Sequence, residues 1–144
     1  MITIYFDGLC RPRNPGGVAT YGYVIYKDGK KAKSGYGVVG SGAGMTNNVA
    51  EYSALKRAME WVRENCPDDV IVIKGDSHLV IHQLNGTWQI KSETSKKFVP
   101  EIRTLLGGRK TSFVWIPREQ NAEADQLSNV AYSQAGVEPT DSAG

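Results

Sequence analysis

The chain has 144 residues, 40% of them hydrophobic and 22% charged, with a formal net charge of +2. That is the size and composition of one soluble domain with a real core. The weak charge leaves a polyanionic partner open and makes its distribution the deciding matter. Cys10 and Cys66 are the only cysteines, which excludes a disulfide framework and a cysteine zinc site and fits two reduced thiols. The N-terminus does not have the shape of a signal peptide, and apolar runs stay short of the ~18 residues of a membrane span. The expectation is a cytoplasmic, monomeric protein with no membrane partner.

Ile2, Ile4 and Phe6 alternate with Thr3, Tyr5 and Asp7, a period-2 strand that ends in a carboxylate. Gly8 to Gly17 reads as a Pro- and Gly-rich loop carrying Arg11, Arg13 and Asn14-Pro15-Gly16-Gly17. Tyr21 to Tyr26 is a second strand, Asp28-Gly29 a hairpin turn, and Lys33 to Val39 a third strand thinned by Gly35 and Gly37. Short links between successive strands imply an antiparallel meander.

Gly40 to Gly44 is a flexible connection, after which Thr46 and Asn47 offer caps for a long helix. Its apolar stripe is Tyr52, Leu55, Met59 and Val62, at helical spacing. Glu51 falls in the first turns, on the polar side of that stripe, and Cys66-Pro67 ends the helix, with Cys66 in the core. Val70-Ile71-Val72-Ile73 follows, an unbroken β-branched run that predicts a strand buried on both faces. Lys74-Gly75-Asp76-Ser77 comes next. A charge at the end of such a strand is costly unless a cation sits beside it.

Ser77 is a plausible N-cap for a short helix, Leu79 to Leu84, which Asn85-Gly86 breaks. Phe98 to Leu106 is another helix, closed by Gly107-Gly108. Thr111 to Ile116 is the last strand, and Asn121 to Ala135 the final helix, with Ala124, Leu127 and Ala131 inward. The expected domain is 1–135, followed by a small, polar, loosely held tail, 136–144. The order βββαβα(α)βα implies an α/β fold: a mixed five-stranded sheet, three antiparallel strands then βα units, flanked by helices.

Four acidic residues stand out: Asp7 and Asp76 at strand ends, Glu51 and Asp125 near helix starts. One Asp after a strand is usually a turn or cap residue, but four so placed favour a site. If the first and fourth strands are parallel neighbours, Asp7 and Asp76 lie side by side and must share a proton or a cation. Oxygen-only clusters suit Mg²⁺ or Mn²⁺, and two such ions can clamp the attacking and leaving oxygens of a phosphodiester.

Asp7-Gly8 with Asn14-Pro15-Gly16, Thr46-Asn47-Asn48-Val49-Ala50-Glu51, Gly75-Asp76-Ser77 and Asn121-Ala122-Glu123-Ala124-Asp125 together resemble type 1 ribonuclease H, in its archaeal and related bacterial members. Each fragment is weak alone; the four in this order, from Ile2 to about Ala135, are specific. The resemblance implies the ribonuclease H-like fold. It implies an endonuclease that cuts the RNA strand of RNA–DNA hybrids with two Mg²⁺ (or Mn²⁺) ions, leaving 3′-OH and 5′-phosphate ends. Double-stranded RNA is a second candidate substrate. Asp7, Glu51, Asp76 and Asp125 would hold the metals. Asn14, Asn47, Asn48 and Ser77 would position the substrate backbone. Gly8, Cys10 and His78 would face the RNA strand, Thr46 a phosphate of the DNA strand, and Asn121 joins the substrate-binding set.

Two departures from the family pattern matter. Many members carry a basic, tryptophan-rich helix as a handle on the DNA strand; here Asn85 to Lys91 runs almost directly into the next helix. Lys91, Lys96 and Lys97 are the local cations, either solubilising or substrate-binding, and Trp88 beside them is placed to stack on a sugar or is a plain surface aromatic. Binding through these and Arg11 and Arg13 should be weak, with a shallow salt slope. Many members also have a histidine in the loop before the last helix. Here that loop is Pro117-Arg118-Glu119-Gln120, where Arg118 or Glu119 either substitutes for it or is an exposed tip. His78 and His82, four apart, lack a third N or S ligand for zinc. The competing readings are a related nuclease preferring structured RNA, a catalytically silent hybrid-binding module and a structural metal-binding domain.

Overall fold

A computed structural model describes residues 1–135; the tail from 136 lies outside the described residues, and with it the expectation that it is loosely held. The strands are β1 (Ile2–Arg11), β2 (Val18–Lys27), β3 (Lys30–Ser41), β4 (Ile71–Gly75) and β5 (Thr111–Trp115), and the helices α1 (Asn47–Asn65), α2 (His78–Leu84), α3 (Glu93–Leu106) and α4 (Ala122–Gln134). The sheet order is β3-β2-β1-β4-β5. β1, β2 and β3 pair antiparallel, and β4 lies parallel to both β1 and β5. None of the helices among the described residues is long and apolar enough to cross a membrane.

The alternation along β1 decides the layering. Ile2, Ile4 and Phe6 point into one core with Ile71 and Ile73 of β4, the α1 stripe Tyr52, Leu55, Met59 and Val62, and Val80, Phe98 and Ile102 of α2 and α3. α4 covers part of the opposite face, where Thr20 Oγ1 donates to the Ser128 carbonyl at 2.9 Å. Ala124 and Ala131 are buried as expected and Ser128 joins them, while Leu127, expected inward, is half-buried.

Several expectations need correcting. The loop Gly8–Gly17 shrinks to six residues, because Gly8 to Arg11 continue β1 and pair with Tyr21 to Val18. Backbone pairing overrides the loop-like composition, and Leu9 and Cys10 are buried. β4 is buried on one face only: Ile71 and Ile73 are fully covered while Val72 and Lys74 are half-buried and Val70 is 43% exposed. α4 does not reach that side, so β-branching there reflects strand propensity, not two-sided burial. α3 begins five residues before Phe98, because Ser92 caps it by accepting from Ser95 N at 3.1 Å. Glu51, placed on the polar side of its helix, is buried.

Gly22 lets α4 approach β2. A Cβ there would lie 2.5 Å from the Ala124 carbonyl oxygen and 2.7 Å from Ser128 N, backbone atoms that cannot swing aside. Gly22→Ala should therefore cost about 1–3 kcal/mol by overpacking, seen as a lowered denaturation midpoint with an unchanged slope.

Candidate metal centre

Register brings two of the carboxylates together. The last β1–β4 pair is Phe6 with Gly75, so Asp7 and Asp76 leave neighbouring strand ends side by side. α1 supplies the third. Thr46 caps it, its Oγ1 accepting from Val49 N at 3.0 Å, and Glu51 follows in the second turn. The approach of α1 to β1 depends on Gly8, where a Cβ would meet Ala50 and lie 2.5 Å from Glu51 N. One carboxylate oxygen from each of Asp7, Glu51 and Asp76 lies within 4.8 Å of the others.

Asp125, one turn into α4, stands on the rim, outside that set. Its carboxyl lies near enough to Asp7 to help raise that residue's pKa, and its Oδ1 accepts from Asn129 Nδ2 at 3.3 Å. Asn121 sets the position of this helix. It is 1% exposed, and its Nδ2 donates to the Phe6 carbonyl at 2.8 Å. Asn121 thus fastens α4 to the end of β1 and exposes almost none of its own surface.

Crowding shows in the acidities. Burial, then the Asp76 charge, then Asp125 push the Asp7 carboxyl up to about 8. Glu51 is raised well above the usual carboxylate range, by burial first and by Asp7 and Asp76 after it. Glu51 Oε1 is buried without a hydrogen-bond partner, an orphan that a native fold rarely tolerates. Oxygen-only donors, mutual repulsion and an unpartnered oxygen fit a hard divalent cation such as Mg²⁺ or Mn²⁺.

The cation that Asp76 requires comes from the loop before α4: Arg118 Nε lies 3.7 Å from Asp76 Oδ2. Glu119 instead lines a cleft of about 480 Å³ on the other side of that loop, with Tyr5, Tyr26 and Lys74. Trp115, which the sequence reading passed over, donates from Nε1 to the Asp76 carbonyl at 3.1 Å. What puts it there is the pairing of β5 with β4, Trp115 beside Gly75, a long-range contact with no local signal in the sequence.

The other candidate residues fall in two groups. Asn14 Nδ2 donates to Asn47 Oδ1 at 2.9 Å while Asn47 N donates to Asn14 Oδ1 at 3.1 Å, clasping the β1–β2 loop to the start of α1. Thr46 and Asn48 flank this clasp. Below it Cys10 is buried, its Sγ donating to the Arg13 and Met45 carbonyls at 3.1 and 3.5 Å. The Gly8 N–H is spent on Asp7 Oδ1 at 2.9 Å. On the other side Ser77 caps α2, accepting from Val80 N at 3.2 Å. His78 stacks on Trp115 with 4.3 Å between ring centres and on His82 at 5.7 Å, and His82 stacks on Trp88 at 4.8 Å. This makes one aromatic ladder beside Asp76, with the histidines committed to stacking. Arg11 Nη1 donates to Asn129 Oδ1 at 3.0 Å; Arg13 and Lys91 are exposed.

A family model described as reverse transcriptase-like matches residues 6–131. "Ribonuclease HI" of Halobacterium salinarum is 37% identical over 91% of this chain, which spans 64% of that protein's length. The crystal structure of RNase H1 from the same archaeon superimposes with a TM-score of 0.83 at 35% identity, covering 92% of this chain and 98% of that one. LC11-RNase H1, solved in complex with an RNA/DNA hybrid, gives a TM-score of 0.85 at 35% identity over 94% of this chain and 99% of that one. With the order β3-β2-β1-β4-β5 and carboxylates at the β1 and β4 ends, these matches agree on one family, and the chain belongs to it: the ribonuclease H-like family, in its type 1 branch.

Proposed function

We propose that this chain is an endoribonuclease that hydrolyses the RNA strand of RNA–DNA hybrids by a two-metal-ion mechanism, leaving 3′-OH and 5′-phosphate ends. The observation that carries the reading is the convergence of Asp7, Glu51 and Asp76 around a buried, unpartnered Glu51 oxygen. These three would hold Mg²⁺ or Mn²⁺, with Asp125 at the rim. When bound, the ions would supply an activated water and stabilise the leaving oxyanion.

The chain's own residues do the positioning. The Asn14–Asn47 clasp, with Thr46 and Asn48, offers amide and hydroxyl groups on one side of the carboxylates. Ser77, His78 and the aromatic ladder offer polar and stacking surfaces on the other. Ribose hydroxyls and splayed backbone are what such groups recognise, and the 2′-OH separates RNA from DNA. Arg118 neutralises Asp76 and is exposed enough to turn toward a phosphate. The buried Asn121 and the tight Gly8 contact hold the carboxylates in place.

Three measurements test the reading. A labelled RNA–DNA hybrid should be cut with Mg²⁺ or Mn²⁺ and spared in EDTA, and DNA duplex should be spared throughout; hybrid binding without cleavage under either metal would favour the silent binding module. Asp76→Asn should abolish cleavage with the fold intact, and wild-type-like turnover with Mg²⁺ would count against the assignment. The third concerns pH. With its folded value at about 8 against the ordinary 3.8, Asp7 binds more protons folded than unfolded between those limits. The metal-free protein must therefore lose stability as pH rises through that window. Its Tm in EDTA should fall across the window, Asp7→Asn should flatten the profile, and Mg²⁺ should raise Tm most at the alkaline end.

A further inference from the structure

A nuclease without the basic helix still has to hold its polyanion. The three lysines expected to do so are separated by the fold. Lys91 is exposed in the loop between α2 and α3. Lys96 Nζ lies 3.7 Å from Glu93 Oε2 in its own helix. Lys97 turns the other way, into a groove of about 350 Å³ between α1, α3 and the end of β3. Val39 and Phe98 make its apolar walls, and Lys56 and Arg57 of α1 face Lys97 across it.

Two of these three cations lie over ring faces. The Arg57 guanidinium carbon lies 5.4 Å from the centre of the Tyr21 ring, and Lys97 Nζ lies 5.3 Å from that of Phe98. Cation–π contact of this kind orients the head group and leaves its N–H donors free. Neither Arg57 nor Lys97 is in an ion pair among the described residues. Lys56 is tethered to Glu101 at 3.4 Å, and Glu60 is the one carboxylate lining the groove. Positive charge is therefore in excess.

Helix geometry connects the groove to the centre. Thr46, Ser53 and Arg57 are spaced i, i+7 and i+11, so they fall along one side of α1. Ser53, a lining residue, lies about 10 Å along the axis from Thr46. The groove thus continues the flank that begins with Thr46 and the Asn14–Asn47 clasp.

We infer that this groove is a second contact for the polynucleotide, in which Arg57, Lys97 and Lys56 take the phosphodiester backbone of the hybrid beyond the point of cleavage. The inference rests on the hybrid-cutting reading and gives its substrate a path in place of the missing handle. Contacts of this kind read phosphate and not base, so they add affinity without sequence preference.

The test uses the full chain and a labelled RNA–DNA hybrid, with binding measured in EDTA and cleavage in Mg²⁺ over a range of salt. Arg57→Ala combined with Lys97→Ala is compared with Lys30→Ala combined with Lys33→Ala, which removes the same charge from the exposed start of β3. At about 0.9 per phosphate contact, the groove variant should lower the salt slope by nearly two. It should raise KM roughly tenfold while leaving kcat within about twofold, because uniform binding is what is lost. The β3 variant should resemble wild type in both. A groove variant with wild-type slope and KM would overturn the inference, and so would an equal loss in the β3 variant. Should the wild type bind the hybrid with the predicted dependence on Arg57 and Lys97 yet fail to cut it, the groove stands and the nuclease reading falls. No binding by the wild type would overturn both.

Discussion

Everything in this fold bears on one unfavourable juxtaposition: three carboxylates, two of them largely withdrawn from water, within a few ångströms of one another. Left to itself such a cluster would separate or stay protonated. Here it cannot separate. Asp7 and Asp76 are fixed by the parallel pairing of β1 with β4, which ends at Phe6 and Gly75. Glu51 is fixed by α1, whose approach Gly8 permits. The backbone that holds the charges together belongs to the most buried layer of the molecule, so the cost is spread over a core that includes Ile2, Ile4, Ile71 and Ile73. Protonation is what remains, and the weakened acidity of Asp7 and Glu51, both held above the usual carboxylate range by burial and by their neighbours' charge, is its signature. A site of this kind is stable against collapse and available to a cation, which is what metal-dependent chemistry requires of a protein scaffold.

Much of this was legible in the chain. Period-2 alternation in Ile2 to Asp7, helical spacing of Tyr52, Leu55, Met59 and Val62, and Ser77 before a short apolar run each have a local physical cause. Local causes survive folding. The acidic residues were legible for the opposite reason, as charges where a buried strand should not end in one. What escaped was whatever depended on partners distant in sequence. Gly8 to Arg11 read as loop because Gly and Pro dominate that stretch, yet β2 supplies a ladder that makes them strand. Val70 to Ile73 read as buried on both sides because the run does not say how far α4 extends. Asn121 was legible as part of a motif, but only the tertiary contact to the Phe6 carbonyl shows that it is also a strut.

The segment that stands where a handle would be is not an idle connection. Gln83 is 3% exposed and serves three elements at once. Its Oε1 accepts from Tyr52 of α1 at 2.5 Å and from Ser95 of α3, while its Nε2 donates to the Gln89 carbonyl at 3.2 Å. A buried network in which every member finds a partner specifies geometry more sharply than apolar packing does. Its effect is to pin the short loop after α2, and with it Trp88, against His82. The loop is therefore held by the same core that holds Glu51, one residue before Tyr52.

Charge distribution, not charge, accounts for how a chain of net +2 could meet a polyanion while carrying an acidic centre. Some cations stand beside acids: Lys31 pairs with Glu123, Lys96 with Glu93, Arg118 with Asp76. Arg57 and Lys97, in no ion pair among the described residues, sit instead on ring faces at one groove between α1 and α3, as Lys74 sits on Tyr5 elsewhere. An aromatic counterpart holds a cation without neutralising it, whereas a carboxylate does both. The choice of rings at these two positions thus separates two properties that ion pairs join: where a charge is, and how far it is felt. At the centre the logic runs in reverse, with Asp7, Glu51 and Asp76 gathered so that their charge is felt strongly at one point. The two arrangements lie on one helix, Glu51 toward the sheet and Arg57 toward solvent, so α1 sets both the distance between them and their relative orientation.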